Sequence, residues 1–397
     1  MNNTTLGTNI GQLKELDKKY YLHPTSSVKQ QQQNGPVVIF KEGNGIYLTD
    51  IEGNQYIDGL SSLWNVNIGH GRKELADVAQ EQMSKLAFSS SFQNYSHDKA
   101  IELASKLASM TPGDLNVSFF TSGGSESNDT AFKIVRHYWK IKGQEKRTKI
   151  IALNRAYHGI TIGATSATGL PTFQNFSTSN APNFLHARPH KTNSERGDQS
   201  DLDYGNSIRG IIEREGAETI AAVILEPIQG AGGVHIPPAG YLQAIRDLCD
   251  EYGILLITDE IICGFGRTGK MFGVENWNIV PDIMTVAKGI TSGYIQLGAV
   301  IMREFIRDEI AELSDQVLFH GFTYSGHPTA CAVALKNIEI IENEGIVENA
   351  KIMETEFLKG IRYLKEKHPY VTNERFLGLL GGGRFNVRSG CRNSFCP

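Results

Sequence analysis

Lys288 and Asp259 are the residues of this chain whose settings promise chemistry. Lys288 stands in DIMTVAKG, after a mostly apolar run from Ile283 to Ala287 that reads as a buried strand ending at the lysine. Twenty-nine positions earlier, ILLITDE reads as a second such strand, ending on Asp259 and Glu260. Open α/β sheets gather their chemistry at the carboxyl ends of strands, so two strand ends can bring a lysine and a carboxylate to one edge. A partly desolvated lysine sheds its proton and becomes a nucleophile for Schiff-base chemistry with an aldehyde. An acid facing it could hold a pyridinium nitrogen. Taken alone, a strand that ends in ordinary surface charge looks the same.

Other segments carry chemistry of their own. TSGGSES (121–127) lies between the strand VSFF and a helix, where glycines let backbone approach an anion and the helix end supplies free amides. Gly124 and Ser125 would be the donors; a helix cap that binds nothing has the same composition. NRAYHGIT (154–161) sets Tyr157 just after the strand KIIAL, where its ring could stack on a planar cofactor, and His158 reads as a hydrogen-bonded structural residue. GFGRTGK (264–270) matches both GxGxxG and GxxxxGK, yet Met271 stands where a P-loop needs a hydroxyl and no helical stripe follows. A structural turn is the expectation there. HARPH (186–190) has histidines at metal spacing, but its proline breaks the helix such a site requires, so no metal is expected. No Gly-x-Ser-x-Gly elbow is present.

The elements that must position these residues alternate from about residue 75 onward. VSFF (117–120) precedes a helix with an apolar stripe at Ala131, Ile134, Val135 and Tyr138. KIIAL (149–153) and TIAAVILEP (219–227) are further strands. PPAGYLQAIRDLCDEYG then places Tyr241, Ile245, Leu248 and Tyr252 on one face, with prolines before it and Gly253 as its stop. ILLIT follows at once, which makes a βαβ unit and a parallel sheet. DIMTVA and LGAVIM add two strands. The organisation predicted is an N-terminal segment with an antiparallel hairpin (1–75), a large α/β domain (76–330) and a C-terminal small domain (331–397). The four glutamines Gln30–Gln33 read as a solvated connection. A pair of amphipathic helices follows residue 330, the second lined by Met353, Phe357, Ile361 and Leu364.

Composition bounds the function. The chain has 397 residues, 40% hydrophobic and 21% charged, with a net charge of −4, so neither nucleic acid nor an anionic membrane is favoured as a partner. Five cysteines, Cys249, Cys263, Cys331, Cys391 and Cys396, form no CxxC and suggest neither zinc nor a disulfide scaffold. With a polar N-terminus and no run of some 18 apolar residues, the expected location is the cytoplasm.

From about Tyr20 to about Leu380 the chain resembles the class III aminotransferases, pyridoxal-phosphate enzymes of fold type I. The motifs that carry the resemblance are GLSSLWNVNIGHGRKE, TSGGSES, AYHG, LEPIQGAGG, DEIICGFGRTG, AKG and HGFTYSGHP. The resemblance implies a large domain with a mostly parallel central sheet, a small domain built from both ends of the chain, and a homodimer with shared sites. It makes Lys288 the lysine that bonds pyridoxal phosphate and moves the proton, and Asp259 the acid on the pyridine nitrogen. Ile261 and Tyr157 are similar to the residues on the two faces of the ring, and Gly124 and Ser125 match the phosphate loop. Thr323 resembles the threonine that reaches the phosphate of the partner subunit. Glu226 is similar to the carboxylate of the EP motif, with a positioning role, and Trp64 to an aromatic lining the substrate pocket.

Ornithine-type members carry glutamine where this chain has Ile262 and Cys263, so DEIICGFGRTG, LWNVN and HGFTYSGHP look like the ω-amino acid:pyruvate branch, with its taurine, β-alanine and amine transaminases. The reaction implied is ping-pong transfer of an amino group from an amine donor to a keto acid. Alternatives on the same lysine are a diaminopelargonate-type transamination, an aminomutase, or a cofactor-binding remnant without turnover. After GLLGG the resemblance stops, and Arg384, Arg388 and Arg392 match no acceptor-binding motif. The expectation is a family-like frame lost near Gly382, a truncated small domain, and no strand or helix to cover the apolar face of the helices at 331–367.

Overall fold

The computed structural model describes residues 10–190, 207–368 and 370–385. They form two compact units: one takes the chain up to Leu63 together with Gly69–Arg72, the other Trp64–Ile68 and everything from Lys73 onward.

The first unit holds the helices Ile10–Tyr20 and Val28–Asn34 and the strands β1 (Phe40–Asn44), β2 (Tyr47–Asp50) and β3 (Gln55–Ile57). The strands form an antiparallel sheet in that order, one strand more than the expected hairpin. The reason is local: Asn44-Gly45 and Gly53-Asn54 are two turns, and Asp50 Oδ1 closes the second by accepting from Glu52 N and Asn54 N, both at 2.9 Å. The glutamine run is a helix rather than a connection, and it is solvated at Gln30, Gln32 and Gln33 but not at Gln31. It lies in Val28–Asn34, where Ser27 Oγ caps Gln30 N at 3.3 Å and the buried Gln31 donates to Tyr21 O at 2.6 Å and Asp17 Oδ1 at 3.2 Å. Glutamine is a good helix former, and its amide can satisfy carbonyls that composition alone does not reveal.

The second unit is built on a seven-stranded sheet of order β4-β10-β9-β8-β7-β5-β6. Its strands are β4 (Leu115–Thr121), β5 (Lys149–Leu153), β6 (Phe184–Ala187), β7 (Ile220–Leu225), β8 (Leu255–Asp259), β9 (Ile283–Val286) and β10 (Gly298–Arg303). Only β10 runs antiparallel to its neighbours β4 and β9, so the other six share one direction. Every residue of β7, β8 and β9 is buried, as expected where both faces of a parallel sheet are covered. One face packs on the helix Tyr241–Tyr252 through Ile245 and Leu248, the other on the helix Gly124–Ile141 through Ala131, Ile134, Val135 and Tyr138. Both stripes are those expected from the sequence. Among the described residues no helix is long and apolar enough to cross a membrane.

The helices Pro328–Asn343 and Ile346–Lys367 pack in this same unit, and here the expectation of nothing beyond them fails. β11 (Val371–Leu377) and β12 (Leu380–Phe385) pair antiparallel, and the Phe376 ring meets Phe357 at 6.1 Å between centroids. The hairpin was illegible because LGGGRF offers no alternation of side chains. Its glycines have a packing reason: a Cβ on Gly381 would lie 2.3 Å from the Phe357 ring. Cover remains partial, with Met353 38%, Phe357 37% and Leu364 45% exposed. Beyond Phe385, the expected loss of frame concerns residues outside those described, Arg388 and Arg392 among them.

The amino edge of the sheet is held by a charge cluster centred on the buried pair Asp282 and Arg246. Asp282 Oδ2 accepts from Arg246 Nη1 at 2.9 Å and Leu256 N at 2.7 Å, while Arg303 spans Asp282 and Asp114. Removing one member of a buried pair strands the other, so Asp282→Ala should cost about 3–5 kcal/mol in urea unfolding. Glu251→Ala, which breaks the exposed pair with Arg209 at 2.9 Å, should shift the midpoint far less. Equal losses in the two variants would show that the cluster does not hold this edge.

Candidate active site

Because six strands share one direction, the segments after β4, β5, β7, β8 and β9 leave the sheet at one edge. These are the segments carrying Gly124 and Ser125, Tyr157, Glu226, Asp259 and Lys288. Sequence positions more than 160 residues apart therefore meet because of topology alone.

Lys288 follows β9 with φ +49°, a left-handed conformation costly for a residue with a Cβ. The buried Asn337 anchors the turn beyond it, donating from Nδ2 to Gly289 O at 2.9 Å and Ile290 O at 3.0 Å. Lys288 is half-buried, with Nζ 5.5 Å from the centre of the Trp64 ring. Burial lowers its pKa below the ordinary lysine value, partly opposed by the charges of Asp259 and Glu226. It lines a cavity of about 280 Å³ together with Asn65, Ser122, Gly124, Thr291 and Tyr294.

Gly124 lines the cavity and opens the helix Gly124–Ile141, whose first-turn amides lack partners within the helix. A Cβ on Gly124 would come within 2.7 Å of Ile261 Cδ1, which ties the glycine to the isoleucine. Ser125 Oγ accepts from Ile160 N at 3.1 Å. Gly159 makes that contact possible: its φ is +120°, and any Cβ there would overlap Ser125.

Asp259 ends β8 at 3% exposure and receives three hydrogen bonds. Ile261 N donates to Oδ1 at 3.1 Å, and Asn128 Nδ2 and His158 Nδ1 reach Oδ2 at 2.8 and 2.9 Å. His158 is thus a buried, hydrogen-bonded residue, as its sequence suggested, but its partner is the acid of the site. Glu226 accepts from Tyr157 N and Gly230 N, each at 2.9 Å, which ties the loops after β5 and β7 together. Burial pushes Glu226 up to about 7, His158 opposing and Asp259 adding to the shift. Glu260 points elsewhere. Its carboxylate caps Gly273 N and Val274 N at 2.8 Å, and burial raises it to about 8. Tyr157 is half-buried with its ring 5.2 Å from Phe173, and burial raises its phenol as well.

Lys288, Asp259, Gly124, Ser125, Tyr157, Ile261, Glu226 and Trp64 are therefore gathered around one edge. Of these, Lys288 and Gly124 line the cavity; Thr323 is exposed and lies outside both the cavity lining and the strand-end segments. GFGRTGK forms turns, as expected, with no nucleotide-binding helix after it; a short 3₁₀ segment at Gly273–Trp277 follows instead. In HARPH, His186 lies in β6 and the buried His190 packs on the Tyr241 ring at 5.0 Å. Asn128, Thr285 and Asn337 were missed. Their only sequence signal is a polar side chain inside a run that otherwise reads as core.

The profile of the aminotransferase class-III family matches residues 28–394. The putrescine–pyruvate aminotransferase of Pseudomonas aeruginosa is 39% identical over 386 residues, covering 96% of this chain and 84% of that protein. A transaminase from a marine Virgibacillus is 55% identical with a TM-score of 0.90, over 93% of this chain and 82% of its own. The omega transaminase of Pseudomonas jessenii, solved in complex with PMP, is 39% identical with a TM-score of 0.90, over 94% and 83%. A lysine and an acid at one sheet edge, beside a glycine-opened helix end, lie within a fold and a sequence shared along nearly the whole chain, which belongs to the class-III aminotransferases.

Proposed function

We propose that this enzyme moves an amino group from a terminal amine or ω-amino acid to a keto acid such as pyruvate, using pyridoxal phosphate held on Lys288. The observation that carries the reading is the half-buried Lys288, its pKa lowered by burial, in a cavity lined by Gly123 and Gly124 at the start of a helix, with Asp259 held at the same edge. The residues fit the cofactor. The helix that opens at Gly124 offers first-turn amides of the kind that bind a phosphate, and the donors around Asp259 suit a carboxylate that faces a cation. Gly124 and Ser125 would hold the phosphate, Tyr157 and Ile261 the ring faces, and Asp259 the ring nitrogen. Glu226 keeps the Tyr157 loop in place. The donor and acceptor of the putrescine–pyruvate aminotransferase, and the omega-transaminase relative, support the donor and acceptor classes.

When bound, the cofactor supplies an electron sink for the carbon–hydrogen bond that breaks. Lys288 Nζ, whose proton burial loosens, takes up the proton from the substrate carbon and returns it. Trp64 covers the lysine with an apolar face, limits water there and bounds the space for the donor. We further place the enzyme in the cytoplasm as a homodimer. Cys249, Cys263 and Cys331 are buried free thiols, and the exposed Val317, Phe319 and Tyr324 around Thr323 offer apolar surface to a second copy. Thr323 would then serve the partner subunit's phosphate.

Absorbance tests the reading. The protein loaded with pyridoxal phosphate should absorb at the blue edge of the visible, lose that band on adding an amine donor and regain it with pyruvate. Lys288→Ala should abolish both changes. Binding without bleaching would reject turnover and leave a cofactor-binding remnant.

Cofactor uptake should also depend on pH in a definite direction. The neutral amine attacks the aldehyde, and a lowered pKa makes that form available at lower pH. Uptake by the apo protein should therefore rise with an inflection below the ordinary lysine value of 10.5. An inflection at that value would mean that burial does not activate Lys288.

Mixed subunits test the dimer. If Thr323 serves its neighbour, a heterodimer of Lys288→Ala and Thr323→Ala subunits keeps one fully wild-type site with normal cofactor affinity. If Thr323 acts within its own subunit, every site in that heterodimer is defective.

A further inference from the structure

Asn128 lies one helical turn beyond Gly124, with no exposed surface, and its amide is engaged on every side. Nδ2 donates to Asp259 Oδ2 at 2.8 Å and to His158 O at 2.7 Å. Oδ1 accepts from Thr285 Oγ1 at 2.8 Å, and Thr285 is itself fully buried on β9. The orientation of the amide is fixed by chemistry. A carboxylate and a carbonyl can only accept, so a flipped amide would set oxygen against oxygen twice. The Thr285 hydroxyl supplies the donor that Oδ1 needs and thereby selects the same orientation.

The result is an asymmetric carboxylate. Asp259 Oδ2 carries two side-chain donors, Asn128 and His158, while Oδ1 carries one backbone donor, Ile261 N. Oδ1 is the oxygen with acceptor capacity to spare. The helix that opens at the cavity with Gly124 also holds the acid on the neighbouring strand, one turn later, so anion loop and acid are placed by one rigid element. Nothing in the bonding of Asn128 is explained by helix formation, because a buried asparagine in mid-helix is unfavourable unless it is fully paired.

We propose that Asn128, oriented by Thr285, is a positioning residue that occupies Asp259 Oδ2 and so presents Oδ1 to the protonated nitrogen of the bound ring. This rests on the reading that Asp259 faces the ring nitrogen of pyridoxal phosphate. A network that merely fills the core would tolerate loss of the Thr285 hydroxyl with a change in stability alone. A positioning network changes the protonation of the ring nitrogen.

The test uses the full-length enzyme loaded with pyridoxal phosphate labelled with ¹⁵N in the ring, compared as wild type, Thr285→Val, Thr285→Ser, Asn128→Leu and Asp259→Asn. Thr285→Val is close to isosteric and keeps the test open if Asn128→Leu does not fold. In Thr285→Val and Asn128→Leu the ¹⁵N resonance should move from the protonated toward the unprotonated position, as in Asp259→Asn, and Thr285→Ser should restore it. The half-reaction with amine donor should slow by about ten- to a hundredfold, as for one lost hydrogen bond to a charged group, with KM little changed. A wild-type resonance in both folded variants, beside a shifted one in Asp259→Asn, overturns the proposal and leaves the role of Asp259 standing. An unprotonated ring nitrogen in the wild type overturns both.

Discussion

Removing an amine and three carboxylates from water at one edge of a sheet is the constraint on which the rest of this structure depends. An ion left buried without partners is costly enough that the group loses its charge instead. The three acids meet that cost in different ways. Asp259 receives two side-chain donors and one backbone amide. Glu226 and Glu260 receive two backbone amides each, and burial pushes them up to about 7 and about 8. Residues of one chemical type thus acquire separate duties: one suited to holding a cation, one tying two loops, one capping a short helix. Lys288 responds in the opposite sense, because for an amine the charged form is the one that burial disfavours.

Strain at this edge follows from the same crowding. Lys288, Ser292, Phe265 and Arg155 all have positive φ, at +49°, +47°, +56° and +66°. Such conformations cost on the order of 1–3 kcal/mol each and persist only where the surroundings over-determine them. The surroundings here are amides aimed at carbonyls. Asn337 bonds the two carbonyls after Lys288, and Asn67 bonds Phe265 O at 3.0 Å. The helix Pro328–Asn343, remote in sequence from the lysine, is therefore part of what holds it.

How legible this was depended on the range of the interaction. Lys288 and Asp259 could be read because each ends its own apolar run, a local signal that survives in one sequence. The parallel sheet and both helical stripes could be read for the same reason. Asn128, Thr285 and Asn337 could not. Their partners lie 131, 157 and 48 positions away, and a buried amide that pairs across such distances has no local signature. Composition misled where it stood in for structure. Gln31 looked solvated until its amide was seen to cap carbonyls of the preceding helix, and LGGGRF looked patternless although Gly381 accommodates the Phe357 ring and Gly382 abuts Val234.

The two edges of the sheet divide the problems of folding and chemistry. At the amino edge Asp282, Arg246, Arg303 and Asp114 neutralise one another through paired contacts, so that charge there is consumed by structure. At the carboxyl edge the lysine has an aromatic ring rather than a carboxylate against it, and one oxygen of Asp259 retains acceptor capacity. A salt bridge between Lys288 and Asp259 would be the simplest way to stabilise the apo fold, and it would protonate the lysine and occupy the acid. Diverting Oδ2 to Asn128 and His158 keeps the carboxylate satisfied without the lysine. The arrangement gives up stability at one edge to leave an amine and an acid ready, and the parallel topology allows this because the opposite edge carries the compensating ion pairs.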